Sequence, residues 1–278
     1  MYDKLETEGN TKFQHGKFNN RIYVMRLARD DVADTISKFN ELANKRDYTK
    51  IFAKIRAELL PHFLSDGFVV EAFIPKLFKN KTDGLLVSKF LDKKRELVPR
   101  DELYAFYDLL HSTEKSKKLK YKHSLKYIIN RLGIKNIKSI TAIFKQVFET
   151  YPFPIHEAEY ILETMKKGST QYYGVWDGKK LIGVSTAEID LNNKNAELTD
   201  FAVLPEYRGQ NLAFRLLMNM EREMKFANIK TCYTIARLNE PGMNKTFLKS
   251  GYKYSGTLIN NTNIAGNIES MNIFYKHL

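Results

Sequence analysis

The chain has 278 residues, of which 43% are hydrophobic and 13% aromatic, and carries a formal net charge of +13. That length implies two domains, each able to bury a core, and the composition excludes a mainly disordered chain. No apolar run reaches the roughly 18 residues of a membrane-spanning helix, so no membrane partner is expected.

The start, MYDKLETEGNTKFQHG, has no apolar signal region, and the single cysteine, Cys232, leaves no intramolecular disulfide; both fit a reducing cytoplasm. The six histidines, His15, His62, His111, His123, His156 and His277, show no metal-ligand spacing, so no metal is expected. Residues 1–150 carry +11 of the charge and residues 151–278 the other +2. The densest basic run, Lys115, Lys117, Lys118, Lys120 and Lys122, contains one aromatic residue, Tyr121, and no RRM, helix-turn-helix or zinc-finger pattern. It reads as a solvated helical connector rather than a nucleic-acid surface.

In chain order, residues 1–17 read as a flexible N-terminus. Arg21–Leu27 reads as a strand, followed by a helix with Val32, Ile36, Phe39, Leu42 and Ala43 on one face. Lys50–Ile55 is β-rich, Ala57–Ser65 a short helix stopped at Gly67, and Phe68–Ile74 and Leu85–Phe90 two further strands. After Pro99, Glu102–Leu110, Leu125–Leu132 and Ile137–Phe148 read as helices. A helix over His156–Lys167 precedes a hairpin, Tyr172–Trp176 and Leu181–Asp190, turning at Asp177-Gly178. A strand Ala196–Val203, a helix Gly209–Phe226, a strand Lys230–Ala236 and a helix Met243–Ser250 follow. The chain closes with strands Lys253–Ile259 and Glu269–Tyr275 around an Asn-rich turn. Phe63-Leu-Ser-Asp-Gly-Phe68 echoes Phe247-Leu-Lys-Ser-Gly-Tyr252 in matching contexts, so the first half reads as a degenerate copy of the second or as a chance likeness.

The most informative stretch is Leu198–Ala213, a strand, a tight turn and a helix start. Unpaired amides at a helix N-terminus bind phosphate, and this turn adds Arg208. Arg208-Gly209-Gln210-Asn211-Leu212-Ala213 resembles the phosphate-binding Arg/Gln-x-x-Gly-x-Gly/Ala pattern of the GNAT acetyltransferase superfamily, with Asn211 in place of the middle glycine. Asn is among the least costly non-Gly residues at positive φ. Across nearly the whole chain, Tyr48–Lys54, Gly67–Ala72, Tyr151–His156, Thr199–Ala202, Tyr233–Arg237, Gly242–Asn244, Gly256–Gly266 and Glu269–Asn272 resemble the beta-lysine N-acetyltransferase family.

The resemblance implies an α/β fold with a mixed sheet: a GNAT N-acetyltransferase domain over 120–278, a connector at 99–119, and a smaller α/β domain over 18–98. It implies acetyl transfer from acetyl-CoA, the co-substrate, to the terminal amine of beta-lysine, giving a compatible solute. Ala202, Val203, Arg208–Ala213 (with Gly209, Gln210, Asn211 and Leu212), Asn244 and Phe247 are the implied acetyl-CoA contacts.

A terminal ammonium, with a reference pKa near ~10.4, must lose a proton before attack. Glu197 is the first candidate base and Asp200 the second. On a regular strand the two point to opposite faces, and a bulge would change that. Phe247 stands where many relatives place a thiolate acid, so Tyr252, Tyr254 or Tyr233 serves, or the thiolate leaves unaided. For beta-lysine's carboxylate and second ammonium, Arg237, Asn260, Asn261 and Asn263 and the acids Glu188, Asp190 and Glu269 are candidates. A GNAT enzyme acting on a protein N-terminus or tRNA, or a non-catalytic CoA- or nucleic-acid-binding module, remains open, as does the oligomeric state, a dimer included.

Overall fold

The computed structural model describes residues 2–28, 30–114 and 126–278; the basic run at Lys115–Lys122 lies outside them. The first half contains β1 (Lys4–Glu8), β2 (Thr11–Gly16), β3 (Arg21–Arg26), α1 (Val32–Lys45), β4 (Lys50–Arg56), α2 (Leu60–Ser65), β5 (Val69–Phe78) and β6 (Thr82–Phe90). Helix α3 (Arg100–Glu114) follows. The second half contains β7 (Tyr127–Leu132), α4 (Ile137–Val147), α5 (Ala158–Lys167), β8 (Thr170–Asp177), β9 (Lys180–Asp190), β10 (Asn195–Val203), α6 (Leu212–Phe226), β11 (Thr231–Arg237), α7 (Pro241–Lys249), β12 (Lys253–Ile264) and β13 (Asn267–His277). Among the described residues no helix is long and apolar enough to cross a membrane.

All these strands form one sheet, ordered β1-β2-β3-β4-β6-β5-β12-β13-β11-β10-β9-β8-β7. One topology occurs in it twice, since β1-β2-β3-β4-β6-β5 repeats β8-β9-β10-β11-β13-β12. Each half has a single parallel pair, β3 with β4 and β10 with β11, and a helix crosses over between its members. The sequence echo marks equivalent joints. Phe63 packs edge-on against Phe68 at 4.9 Å and Phe247 against Tyr252 at 5.4 Å, while Gly67 (φ 81°) and Gly251 (φ 85°) turn α2 and α7 into β5 and β12.

The halves meet where β5 and β12 touch, at Ala72 opposite Gly256, and their sheet faces then pack on each other through Tyr23, Phe52, Ile74, Leu86, Tyr233, Leu258 and Ile273. The outer faces carry separate cores, one under α1 and α2 and a larger one under α4 to α7. Helix α3 joins the larger core through Phe106, whose ring lies 5.0 Å from Tyr254 and 6.2 Å from Phe274.

Three expectations change. Residues 4–16 are strands rather than a flexible end, because Phe13 is buried and the Asp3 carboxylate accepts from the amides of Phe18 and Asn19. Residues 127–132 form β7 rather than a helix, because the free edge of β8 pairs with them from Tyr127↔Asp177 to Leu132↔Tyr172. The Asn-rich segment is no turn: β12 runs to Ile264 and the chain reverses at Ala265 and Gly266, both at positive φ.

That segment is the seam between the halves. A bulge between Leu258 and Thr262 turns its backbone toward the first half. The Lys50 ammonium donates to the Ile259 carbonyl (2.7 Å) and to Glu71 (2.9 Å), and Glu71 accepts from the Ile259 amide (2.6 Å). Arg95 donates to the Asn260 carbonyl (2.6 Å), while the Asn260 side chain donates to the carbonyls of Arg95 and Leu97 and that of Asn263 to Phe18.

The tightest point of the seam is Gly256, at φ 148°, where a Cβ would come within 2.0 Å of the Glu71 carbonyl oxygen. Gly256→Ala is expected to destabilise the protein by about 2 kcal/mol or more. The check is the midpoint of denaturant unfolding; an unchanged midpoint contradicts a close seam.

Candidate active site

Strands β10 and β11 pair only over Asn195–Glu197 and Thr231–Tyr233. Beyond that they part: β10 stays on β9 as far as Val203 opposite Gly183, and β11 stays on β13 as far as Arg237 opposite Met271. The divergence coincides with a bulge between Thr199 and Ala202, where Asp200 takes a φ of 54°. A wedge-shaped cleft of about 460 Å³ opens between the strands. Backbone groups that a neighbouring strand would satisfy face it.

Helix α6 starts at the mouth of this cleft. Gly209 (φ 77°) and the Ncap Asn211 (φ 57°) both take the left-handed conformation that turns strand into helix, and a Cβ at Gly209 would meet nothing within 4 Å. Backbone conformation rather than space therefore selects glycine there, and Asn211 adopts the same region without one. The first amides of α6, lacking partners within the helix, lie at the cleft with the positive end of the helix dipole. Val203, Arg208, Gly209, Asn211, Leu212, Ala213 and Phe247, expected as acetyl-CoA contacts, all line it.

Three expected contacts do not, and neither does Tyr252, expected as a catalytic residue. Ala202 is buried opposite Val184 within the sheet. The Gln210 side chain turns away and accepts from the Tyr127 hydroxyl at 2.5 Å. Asn244 is fully buried, donating to the carbonyls of Arg237, Leu238 and Glu240 and accepting from Asn272, so it clamps the turn from β11 to α7. Tyr252 lies behind Phe247, with its hydroxyl beside Glu221 and Cys232. It is on the wrong side of Phe247 to protonate a thiolate in the cleft. Cys232 is fully buried, and burial pushes its thiol far up, as fits a core residue.

A second cavity of about 90 Å³ shares Tyr151, Thr199, Asp200, Ile235, Ile264 and Met271 with the cleft. It lies between the facing sheets. The second half contributes Glu188, Glu197, Tyr233, Asn261 and Thr262, and the first half Arg21, Tyr23, Phe52 and Lys54.

Glu188 and Glu197 sit opposite each other on β9 and β10, so they share one sheet face. The bulge rotates Asp200 onto that face as well, where it accepts from Thr186 (2.5 Å) and from the Tyr151 hydroxyl. The two candidate bases therefore face the same space, contrary to regular alternation.

All three carboxyls are raised, chiefly because they are enclosed by protein. Their neighbours separate them. Glu188 is pushed up further by the charges of Glu197 and Asp200. Glu197 is drawn back by Lys54 and by a hydrogen bond from Tyr233, whose hydroxyl itself accepts from Lys54 at 2.6 Å. Asp200 is held by its hydroxyl donors. The facing pair shares one environment: Lys54 draws both carboxyls down and the charge of Asp200 pushes both up, and only Glu197 also accepts from the Tyr233 hydroxyl.

The expected substrate residues divide. Glu188 and Asn261 line the cavity. Asn260 and Asn263 hold the seam, and Asp190 accepts from Asn193 (2.7 Å). Arg237 lines the cleft instead, bound to both oxygens of Glu269 (2.8 and 2.6 Å) and to Glu240 (2.9 Å), which occupies Glu269 too. Arg21, Tyr23, Phe52, Lys54 and Tyr151 were not read from the sequence as site residues. The signal for the first four is the alternation Arg21-Ile-Tyr23-Val-Met25 and Lys50-Ile-Phe52-Ala-Lys54, which places basic residues on a face that is otherwise apolar.

The splayed parallel pair, the bulge beside it and the glycine turn into α6 define a GNAT N-acetyltransferase, and the acetyltransferase (GNAT) family model matches residues 137–252. The chain is 36% identical over 277 residues to the beta-lysine N(6)-acetyltransferase of Methanococcus maripaludis, covering 99% of this chain and 98% of that one. It is 29% identical over 279 residues to the N-acetyltransferase YodP of Bacillus subtilis, covering both in full. Among solved structures, the spermidine N-acetyltransferase from Vibrio cholerae in complex with CoA and spermine is similar over 55% of this chain and 96% of that one, at 18% identity and a TM-score of 0.48. Within the GNAT superfamily, this chain belongs to the beta-lysine N-acetyltransferase family.

Removing the Lys54 cation takes away what draws the Glu197 carboxyl down. In Lys54→Met the acid limb of the pH–rate profile is expected to move to higher pH, lowering the rate below neutrality. A limb that stays in place contradicts the coupling.

Proposed function

We propose that this enzyme transfers the acetyl group of acetyl-CoA to the terminal (N6) amine of beta-lysine, 3,6-diaminohexanoate. The observation that carries this reading is the second cavity: carboxyls on one wall, two cations on the other, directly behind the cleft. Among the described residues, neither the Arg21 nor the Lys54 cation forms an ion pair with these carboxyls, so the cavity suits a chain bearing both ammonium and carboxylate groups. It is enclosed between two sheet faces, which favours a small amine over a protein N-terminus or tRNA. The full-length similarity to a beta-lysine N(6)-acetyltransferase supports the same substrate.

Each part of the site has a role in direct transfer. The loop Arg208–Asn211 and the first amides of α6 fit the pyrophosphate of acetyl-CoA, and the diverging edges of β10 and β11 fit its amide-bearing arm. Glu197, at the point where the strands part, takes the proton from the N6 ammonium, so that the amine attacks the thioester carbonyl. Backbone amides of β10 around Val203 stabilise negative charge developing on the carbonyl oxygen. The C–N bond forms and the C–S bond breaks; Tyr151, which lines both cavities, gives its proton to the departing thiolate in place of the expected Tyr252, and the second proton that the nitrogen loses as the intermediate collapses restores the Tyr151 hydroxyl. Asp200 orients the Tyr151 hydroxyl. No covalent enzyme intermediate is needed.

Thiol release tests this with acetyl-CoA and beta-lysine against alpha-lysine, spermidine and a peptide N-terminus. Beta-lysine is the expected preferred acceptor. Because burial raises Glu197, kcat/KM should climb with pH along a limb above the ordinary carboxylate range as Glu197 loses its proton. Glu197→Gln should lower kcat by roughly 10²–10⁴-fold and abolish that limb. Turnover confined to spermidine or peptide, or an active Glu197→Gln, overturns the reading.

A further inference from the structure

Arg21 is spent on nothing the mechanism uses. It is 3% exposed on β3, and its Nη1 donates to the Asn261 carbonyl and to Thr262 Oγ1 (3.2 Å). Its Nε has no partner among the described residues, and no carboxylate there lies within ion-pair distance. The faces of Tyr23 and Phe52 hold the guanidinium, 5.4 and 5.7 Å from their ring centres. Beside it Asn261, 1% exposed, leaves Oδ1 unpartnered. Both residues line the second cavity. A guanidinium so enclosed is costly without an anionic partner, and burial brings it down only to about 10, so it stays charged at neutral pH.

We infer that Arg21, a residue of the first half, is the subsite for the carboxylate of the amine substrate, with Asn261 Oδ1 accepting from the ammonium next to that carboxylate. The inference rests on the proposed reaction and says what selects its substrate. The Nε edge of a guanidinium donates side-on to a carboxylate. Tyr23, two residues along the same face of β3, brings its hydroxyl near Glu188 and Glu197. At ~3.3 Å per residue, the Arg21 Cα lies ~7 Å along β3 from that of Tyr23, away from the carboxyls. An acceptor with its reacting amine at Glu197 and its carboxylate at Arg21 must carry the two at opposite ends of a short methylene chain. A linear polyamine would bring a second cation toward Arg21 and be disfavoured. The basic character of the first half thus enters the site as substrate selection.

The test compares beta-lysine with 1,4-diaminopentane, the same molecule without its carboxylate. In the wild-type enzyme kcat/KM should favour beta-lysine by ~10²-fold, mainly through KM. Arg21→Met should lower the beta-lysine value by about that factor and raise that of 1,4-diaminopentane, with Arg21→Lys intermediate. Asn261→Asp supplies a carboxylate beside Arg21 without removing the buried cation, so it should also suppress beta-lysine selectively; it decides the matter if Arg21→Met fails to fold. A preference for beta-lysine that survives the variants, or an equal loss on both amines, overturns the Arg21 subsite while the proposed reaction stands. A wild-type enzyme that favours 1,4-diaminopentane, or uses neither amine, overturns both.

Discussion

The parting of β10 from β11 after Glu197 and Tyr233 is the constraint on which the rest of the structure depends. Two parallel strands that stayed paired would satisfy each other's backbone groups and leave no cleft. The bulge at Asp200 prevents this at one place. It frees the strand edges, rotates a third carboxylate onto the face of Glu188 and Glu197, and leaves Glu197 at the vertex where the strands still touch. The first half offers a contrast. There β3 and β4 pair from Arg21↔Lys50 to Val24↔Ala53, and the face they share is the wall opposite Glu188 and Glu197.

What that wall supplies is charge and enclosure. The second half presents carboxyls, and the first half answers with Arg21 and Lys54 across a gap closed by Tyr23 and Phe52. Lys54 reaches across the gap to Tyr233 and so to Glu197, which ties the ionisation of Glu197 to the docking of the halves. The seam must then be exact in register, and it is held by polar contacts: Lys50, Glu71 and Arg95 engage the backbone of the bulged Asn-rich strand. An apolar seam would tolerate sliding, whereas directed hydrogen bonds to successive peptide groups do not.

Much of the second half is legible in the sequence because its signals are local. The apolar period of α6, the Gly209 turn, the hairpin at Asp177-Gly178 and Glu197 on the strand before the cradle each lie within a few residues of the features that define them. The first half is less so. β1 is exposed along most of its length, and β2 buries the polar Thr11, Gln14 and His15 beside Phe13, so neither shows an apolar period; β7 is a strand because β8 offers a free edge. The asparagines were legible as unusual, but their role depends on partners more than 160 residues away, such as Arg95 and Phe18. Arg237 and Glu269 look like substrate ligands in one dimension and prove to be each other's partners in three. Arg21 and Lys54 show the converse: as isolated basic residues on strands they carry no motif, and only the packing of one sheet face on another brings them to the wall of a cavity.

In the function proposed above, the first half completes the amine site of the second. The most direct measurement is a crystal structure with CoA and beta-lysine bound together. It should show the terminal amine within hydrogen-bonding distance of Glu197, with the remainder of the molecule against side chains of β3 and β4. Beta-lysine bound at the cleft mouth beside Arg237 and Glu269, without contact to the first half, would contradict it.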